Sequence, residues 1–398
     1  MNSNLNNTPT ANRVHVAFYG KRNSGKSSVI NAITGQTVSI VSEVAGTTTD
    51  PVYKAMEISG IGPCMLIDTA GFDDVGELGQ IRVQKTEGVL EKTDVAVLLF
   101  SETDMEQELQ WYDQLLSKNT PVVTVISKSD EKENLLEIKE AVKKNTDTEP
   151  ILVSAKTGDG ISLLMEELIK KVPDDFERES ITRDLIQEGE TVLLVMPQDI
   201  QAPKGRLILP QVQVLRELLD KKCLVMSVTT DKLEEALAFM KEAPKLIITD
   251  SQVFKTVYEK KPAESKLTSF SMLYAAYKGD INYYKEGAKV IDSLTENSKV
   301  LIAECCSHAP LKEDIGREKL PQMLRNKIGE NLTVDVVSGM DFGTNLEQYD
   351  LIIQCGACMF NRKYVMSRIG QAMEKQIPMS NYGVVLAYLS GILENVSI

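Results

Sequence analysis

The chain has 398 residues, 57 of them acidic against 44 basic, for a formal net charge of −13. Apolar residues make up 42% and charged residues 25%, a balance that excludes a mostly disordered or fibrous chain, and the length allows two or three domains, each with its own core. No run approaches the ~20 apolar residues of a membrane span. The N-terminal MNSNLNNTPTANR lacks the apolar stretch of a secretory signal and reads as a short disordered arm. The acidic balance argues against nucleic-acid binding, which needs clustered Lys and Arg. These features predict a cytoplasmic protein with neither a nucleic-acid nor a membrane partner.

Taken in order, the pattern predicts three α/β segments. In the first, residues 1–174, strands are expected at Val14–Tyr19, Val52–Ile58, Met65–Ile67, Val95–Phe100, Val122–Ile126 and Ile151–Val153. Helices are expected at Ser27–Thr34 and Ile161–Val172. Continuous apolar runs of strand length suit buried parallel strands, and their alternation with helices implies a doubly wound sheet. The charged stretch Pro173–Arg183 reads as a linker. The second segment, 175–264, repeats the pattern on a smaller scale. Its strands are Val192–Met196, Leu224–Val228 and Leu246–Thr249, and its amphipathic helices are Gln211–Lys221 and Asp231–Glu242. Ala202-Pro-Lys-Gly-Arg206 reads as a basic turn. The third segment, 265–398, has strands at Val300–Glu304, Thr333–Val337 and Leu351–Gln354 and helices at Tyr364–Lys375 and Tyr382–Leu393.

Between the first strand and the first helix lies Gly20-Lys-Arg-Asn-Ser-Gly25-Lys26-Ser27, which fits the phosphate-binding loop G-x-x-x-x-G-K-[ST] in the context that motif requires. Backbone N–H groups from Gly20 to Ser28, Asn23, Ser24 and Gly25 among them, would wrap the phosphates at a helix N-terminus. Lys26 would neutralise the β and γ phosphates, and Ser27 would hold Mg²⁺. Asp68-Thr-Ala-Gly71 follows the next apolar strand. Its Asp reaches Mg²⁺ through water, and the Gly71 N–H can sense the γ-phosphate. Gly46-Thr-Thr-Thr-Asp50 lies between the two motifs, where a switch loop supplies a threonine to Mg²⁺, Thr48 or Thr47. Further on, Ser127-Lys128-Ser-Asp130 and Ser154-Ala155-Lys156 each follow a strand. The Asp130 carboxylate can accept both N1–H and N2–H of guanine, which adenine lacks. Lys128 can lie over the purine, and the Ala155 N–H can meet the guanine O6.

These spacings resemble the GTPase elements N-K-x-D and S-A-K. Ser127 stands where Asn is usual, which predicts a weaker tie between base loop and phosphate loop. Asn23 sits where potassium-activated GTPases of the TrmE/Era type carry an Asn that ligates a monovalent cation. Phe72 stands where Ras-type proteins place a catalytic Gln. The resemblance implies hydrolysis of GTP without that Gln, supported by Mg²⁺, Lys26 and K⁺ near Asn23.

Six cysteines in a chain of this length are no disulfide scaffold. Cys64 and Cys223 stand alone, whereas Cys305, Cys306, Cys355 and Cys358 crowd the last hundred residues. Cys306-Ser-His308 follows one predicted strand and Cys355-Gly-Ala-Cys358 another, so both sets leave the carboxyl ends of strands and can converge on one crevice. Three thiolates suit an iron–sulfur cluster with one exchangeable corner. A Cys₃His zinc site uses the same residues. A C-x-x-C redox pair leaves Cys306 and His308 unexplained.

The P-loop, the small α/β middle segment and the C-x-H … C-x-x-C site together resemble the HydF family, the GTPase of di-iron (FeFe) hydrogenase maturation. The likeness extends to Asp68–Gly79, Ala202–Gln211 and Asp314-Ile-Gly-Arg317. It implies a P-loop GTPase domain, a dimerisation domain and an iron–sulfur cluster domain. It implies a 4Fe–4S cluster on Cys306, Cys355 and Cys358, a homodimer, and a scaffold or carrier role. In that role the protein receives a di-iron precursor built by radical-SAM maturases and delivers it to apo FeFe-hydrogenase. The family commonly has His before C-x-x-C, where this chain has Gln354. His308, Glu304 or an open corner then completes the fourth iron. The competing class is an RNA- or ribosome-associated GTPase with a structural zinc domain.

Overall fold

A computed structural model of the chain describes residues 8–35, 51–72, 77–173, 180–198, 207–304, 315–339, 342 and 345–398, with the side chains of 77–82 excepted. It divides into two compact units, Met1–Arg178 and Glu179–Ile398.

The first unit is a single sheet wrapped by helices. In chain order its elements are β1 (Val14–Tyr19), α1 (Lys26–Thr34), β2 (Val52–Ile58), β3 (Gly62–Asp68), α2 (Glu77–Leu90), β4 (Val95–Phe100), α3 (Glu106–Ser117), β5 (Val122–Ser127), α4 (Leu135–Thr146), β6 (Ile151–Val153) and α5 (Ile161–Lys171). The sheet order is β2-β3-β1-β4-β5-β6. All neighbours are parallel except the β2–β3 pair. Every residue of β1, β4 and β5 is buried, because helices cover both faces of these central strands; that is why they read as unbroken apolar runs. Strand β2 alternates exposed and covered residues, as an antiparallel edge strand does. From β1 the chain passes to β3 on one side and to β4 on the other, and this reversal opens a crevice at the carboxyl end of β1.

The second unit holds two smaller sheets. The first is built from β7 (Thr191–Val195), α6 (Leu209–Asp220), β8 (Leu224–Val228), α7 (Leu233–Phe239), β9 (Leu246–Thr249), α8 (Phe254–Lys260), β10 (Lys266–Ser269) and α9 (Phe270–Lys278). The second follows with α10 (Ile281–Lys289), β11 (Lys299–Glu304), α11 (Leu320–Ile328), β12 (Thr333–Ser338), β13 (Leu351–Gln354), α12 (Arg362–Glu374), β14 (Met379–Asn381) and α13 (Tyr382–Leu389). Their orders are β10-β9-β7-β8 and β12-β11-β13-β14, and every pairing is parallel.

One apolar core joins the inner faces of both sheets. Leu193, Ile247 and Leu267 from the first and Leu301, Ile352 and Met379 from the second belong to it. Polar caps end the loops that feed the helices. The Ser269 hydroxyl accepts the Met272 N–H at 3.2 Å, and the Asp280 carboxylate accepts those of Asn282 and Tyr283 at 3.0 Å.

Several sequence expectations are corrected here. A boundary at 264/265 would detach β10, yet β10 pairs with β9 along its whole length. The stretch read as a linker ends in structure: the Glu217 carboxylate accepts the N–H groups of Ile181 and Thr182 at 2.7 and 2.9 Å. Those bonds outweigh burial and hold Glu217 below the usual carboxylate range. The helix expected over Asp231–Glu242 shrinks to α7 (Leu233–Phe239) after a 3-10 turn. The helix expected to run to Leu393 stops at Leu389, before a turn with Gly391 at φ 71°. No helix among the described residues is long and apolar enough to cross a membrane.

Candidate functional site: a nucleotide cleft and a cysteine loop

The crevice at the carboxyl end of β1 receives the phosphate loop. Gly25 has φ 92°, a left-handed conformation that suits glycine, and a Cβ on Gly20 would come within 2.9 Å of the Leu99 carbonyl oxygen. Lys26 is 7% exposed. Its Nζ donates to the carbonyls of Gly20 and Lys21, both at 2.8 Å, which aims it along the loop. The Ser27 hydroxyl donates to the Asp68 carboxylate at 2.5 Å, so the two expected Mg²⁺ contacts, from α1 and β3, meet. Asn23 is exposed, with φ 57°. Thr47 and Thr48 lie outside the described residues.

The base side assembles in the same cleft. A cavity of about 620 Å³ is lined by Gly25 and Ser28 of the phosphate loop, Lys128 and Asp130 after β5, and Ala155 and Lys156 after β6. Three sequence-distant segments thus enclose one volume of nucleotide size. The Ser154 hydroxyl bonds the Asp130 carboxylate and holds it below the usual carboxylate range. The expected weakness at Ser127 has a compensation. Its hydroxyl donates to the Ser24 carbonyl at 2.5 Å in a buried contact, so the base loop and the phosphate loop are tied through Ser127.

Gly71 and Phe72 follow β3. Phe72 is buried and stacks on Trp111, with ring centres 5.4 Å apart and planes at 17°. Trp111 in turn lies 5.6 Å from Tyr19. The residue where a catalytic Gln would stand is an apolar anchor set into the core.

The cysteine loop leaves a switch point of its own. From β11 the chain passes to β12 on one side and to β13 on the other, so the carboxyl ends of β11 and β13 form the switch point of the last sheet. Cys355 continues β13, its N–H donating to the Ala303 carbonyl of β11 at 3.0 Å. The Asn381 amide donates to the Cys355 carbonyl at 3.1 Å. Ala357 takes a left-handed φ of 48°, which turns the chain between two half-buried thiols, Cys355 and Cys358. Cys305, Cys306, His308 and Asp314 lie outside the described residues. Among the described residues no group of three or more His, Cys, Asp and Glu side chains gathers as a metal site. The two described thiols, half-buried soft donors at C-x-x-C spacing, fit an iron–sulfur or zinc centre.

The two described positions tied to the fourth ligand are resolved. Glu304, the last residue of β11, accepts from Arg317 Nε and Nη2 at 3.1 and 3.0 Å and from the Ser338 hydroxyl at 3.1 Å. To reach a metal it would have to leave a charge-assisted pair. A Cβ on Gly316 would collide with Glu304 and the Tyr382 hydroxyl, which accounts for the Ile-Gly-Arg run. Gln354 is fully buried, and among the described residues neither amide atom has a hydrogen-bond partner. An unmet buried amide costs about 1–3 kcal/mol. His15 belongs to β1 of the first unit and bonds the Arg13 carbonyl at 2.9 Å.

Sequence reasoning missed Lys278. It ends α9, is 2% exposed, and donates to three carbonyls of the cysteine loop. Its place at the end of an apolar helix gave no sign of that contact.

Residues 181–279 match the hydrogen maturase F dimerization domain, and residues 282–397 match the hydrogen maturase F tetramerization domain. Residues 15–128 match the 50S ribosome-binding GTPase family. The chain belongs to the hydrogen maturase F (HydF) family. The chain is similar to the tRNA modification GTPase MnmE of Paraburkholderia xenovorans (strain LB400), 38% identical over 157 residues, which are 39% of this chain and 33% of that protein. It is also similar to the GTPase Der of Wolinella succinogenes, 44% identical over 89 residues, 22% of this chain and 19% of that one. The chain thus spans about a third or less of the curated relatives it matches. Among solved structures, Era in complex with MgGDPNP and a 16S ribosomal RNA segment is 23% identical, covering 54% of this chain and 91% of that one at a TM-score of 0.37. The G domain of T. maritima FeoB is 23% identical, covering 40% and 99%, at 0.32. The expected architecture, a P-loop GTPase domain followed by two smaller α/β domains, is the one found.

Proposed function

We propose that this HydF-family chain is a potassium-stimulated GTPase and a scaffold that binds a 4Fe–4S cluster through Cys306, Cys355 and Cys358. It receives a di-iron precursor and delivers it to apo FeFe-hydrogenase, working with radical-SAM maturases in the cytoplasm. The observation that carries this reading is the switch point of the last sheet. Cys355 and Cys358 leave β13 there, beside the end of β11, two residues before Cys306 in the sequence.

In the nucleotide cleft, Lys26 and the phosphate-loop N–H groups bind the phosphates, Ser27, Asp68 and Thr48 hold Mg²⁺, and Asn23 contributes to a K⁺ site. Hydrolysis needs developing charge stabilised on the phosphoryl oxygens. Lys26 and the loop dipoles supply this, since Phe72 is turned into the core. When bound, the cluster supplies an anionic inorganic anchor for the precursor, and His308 is the favoured fourth ligand because Glu304 is engaged by Arg317. The chain assembles as a homodimer, for which the exposed edge strand β8, with Leu224 66% exposed, is the natural seam.

The test is anaerobic reconstitution with iron and sulfide analysis and electron paramagnetic resonance, on the wild type and on Cys306→Ser. A cluster spectrum that disappears in the variant while GTP hydrolysis persists supports the reading. Zinc alone would favour an RNA- or ribosome-associated GTPase with a structural zinc domain. Equal hydrolysis in Na⁺ and K⁺ would remove the K⁺ site at Asn23.

A further inference from the structure

Lys278 is a cation placed where a cation is costly. Removing an ammonium from water costs several kcal/mol even after relaxation, and Lys278 is 2% exposed. Its Nζ donates to the carbonyls of Ala357 at 3.1 Å, Cys358 at 3.2 Å and Phe360 at 2.7 Å. It also lies 5.4 Å from the centre of the Tyr274 ring. Three acceptors within four consecutive residues hold the lysine Nζ against the backbone of the loop.

That contact has two physical consequences. It pins the loop in the conformation that puts Ala357 at φ 48°, which a non-glycine residue does not adopt for its own sake. It also fixes a positive charge against the backbone that carries both thiols. An iron–sulfur centre on thiolates is anionic, and its potential responds to nearby charge and hydrogen bonding. The lysine comes from the segment that matches the dimerization domain, and the loop from the segment that matches the tetramerization domain.

We propose that Lys278 is a positioning residue for the metal centre: its ammonium locks the Cys355–Cys358 loop through the three carbonyls and offsets the negative charge of the cluster. This rests on the cluster reading above.

The test uses the full chain with Lys278→Met, which removes donor and charge, Lys278→Gln, which keeps an N–H donor without charge, and Lys278→Arg, which keeps the charge. In iron-free protein, hydrogen–deuterium exchange of the 355–361 amides should quicken about tenfold in the Met variant, or about 1.4 kcal/mol. After anaerobic reconstitution, the Met variant should lose iron to a chelator about tenfold faster. The Gln variant should keep its iron at a more negative midpoint potential, and the Arg variant should recover the wild-type potential. GTP hydrolysis should stay unchanged throughout. If Lys278→Met does not fold, the Gln and Arg pair carries the test through the potential. Unchanged exchange and an unchanged potential in an iron-loaded chain overturn the inference alone. A wild-type chain that takes up no iron overturns the cluster reading, and with it the electrostatic half of this one; unchanged loop exchange then overturns the other half.

Discussion

Ser127→Ala is the sharpest perturbation of the nucleotide cleft. Ser127 is 1% exposed and Ser24 fully buried, and their 2.5 Å bond joins the end of β5 to the phosphate loop. Deleting the hydroxyl leaves the Ser24 carbonyl inside without its donor, at a cost of about 1–3 kcal/mol. Bound nucleotide needs both loops held at once, so part of that cost falls on binding. If 1–2 kcal/mol appears there, affinity for GDP drops about 5–30-fold. The rest lowers the melting temperature. Ser127→Thr keeps the hydroxyl in a strand that accepts β-branched residues and should stay near the wild type. A fluorescent GDP titration with a thermal melt reads both effects. An Ala variant that matches the wild type in Kd and Tm would refute the claim that this hydroxyl replaces the usual Asn.

Other outcomes follow from single contacts. The chain has one tryptophan, stacked on Phe72 beside Gly71. Exchanging GDP for a non-hydrolysable GTP analogue should therefore change the Trp111 emission, and Phe72→Leu should abolish that change. Burial pushes the Lys92 ammonium down to about 8. The unfolded lysine keeps its proton up to about 10.4, so between these values the unfolded state binds more protons and stability should rise with pH. Below pH 8 both states are protonated and the buried charge destabilises fully. Lys92→Met should accordingly raise the melting temperature at pH 7 and flatten the rise between pH 8 and 10. Leu224→Lys should turn a dimer into monomer by light scattering, because charge on an edge strand blocks strand pairing. An unchanged mass would place the seam elsewhere.

The parts of this chain that were legible in the sequence carry their signal locally. β1, the phosphate loop and α1 are one contiguous motif, and Asp68–Gly71 and Ser127–Asp130 each sit directly after an apolar strand. A backbone that must wrap phosphate leaves glycines at fixed spacing, and a strand buried on both faces leaves an unbroken apolar run. The C-x-x-C loop was legible for the same reason. What escaped depends on partners distant in sequence. α9 (FSMLYAAYK) is buried on nearly every side, so it shows no amphipathic period by which to find it. Strand β10, four residues with Lys266 at its head, is too short to stand out. Lys278 looks like a solvated cation at a helix C-terminus, where cations are favoured anyway, and only the carbonyls of residues some eighty positions later reveal its work. Ser127 looked like a loss because the residue it binds lies 103 positions away. Glu304 looked available as a ligand until Arg317 and Ser338 closed on it. In each case the residue type was visible and the role was not, because a buried polar group takes its function from whichever partner relieves its desolvation. Gln354 is the exception that points outward. It is buried with no bond to its amide at the mouth of the cysteine loop, so the group that would satisfy it is not another described side chain of this protein.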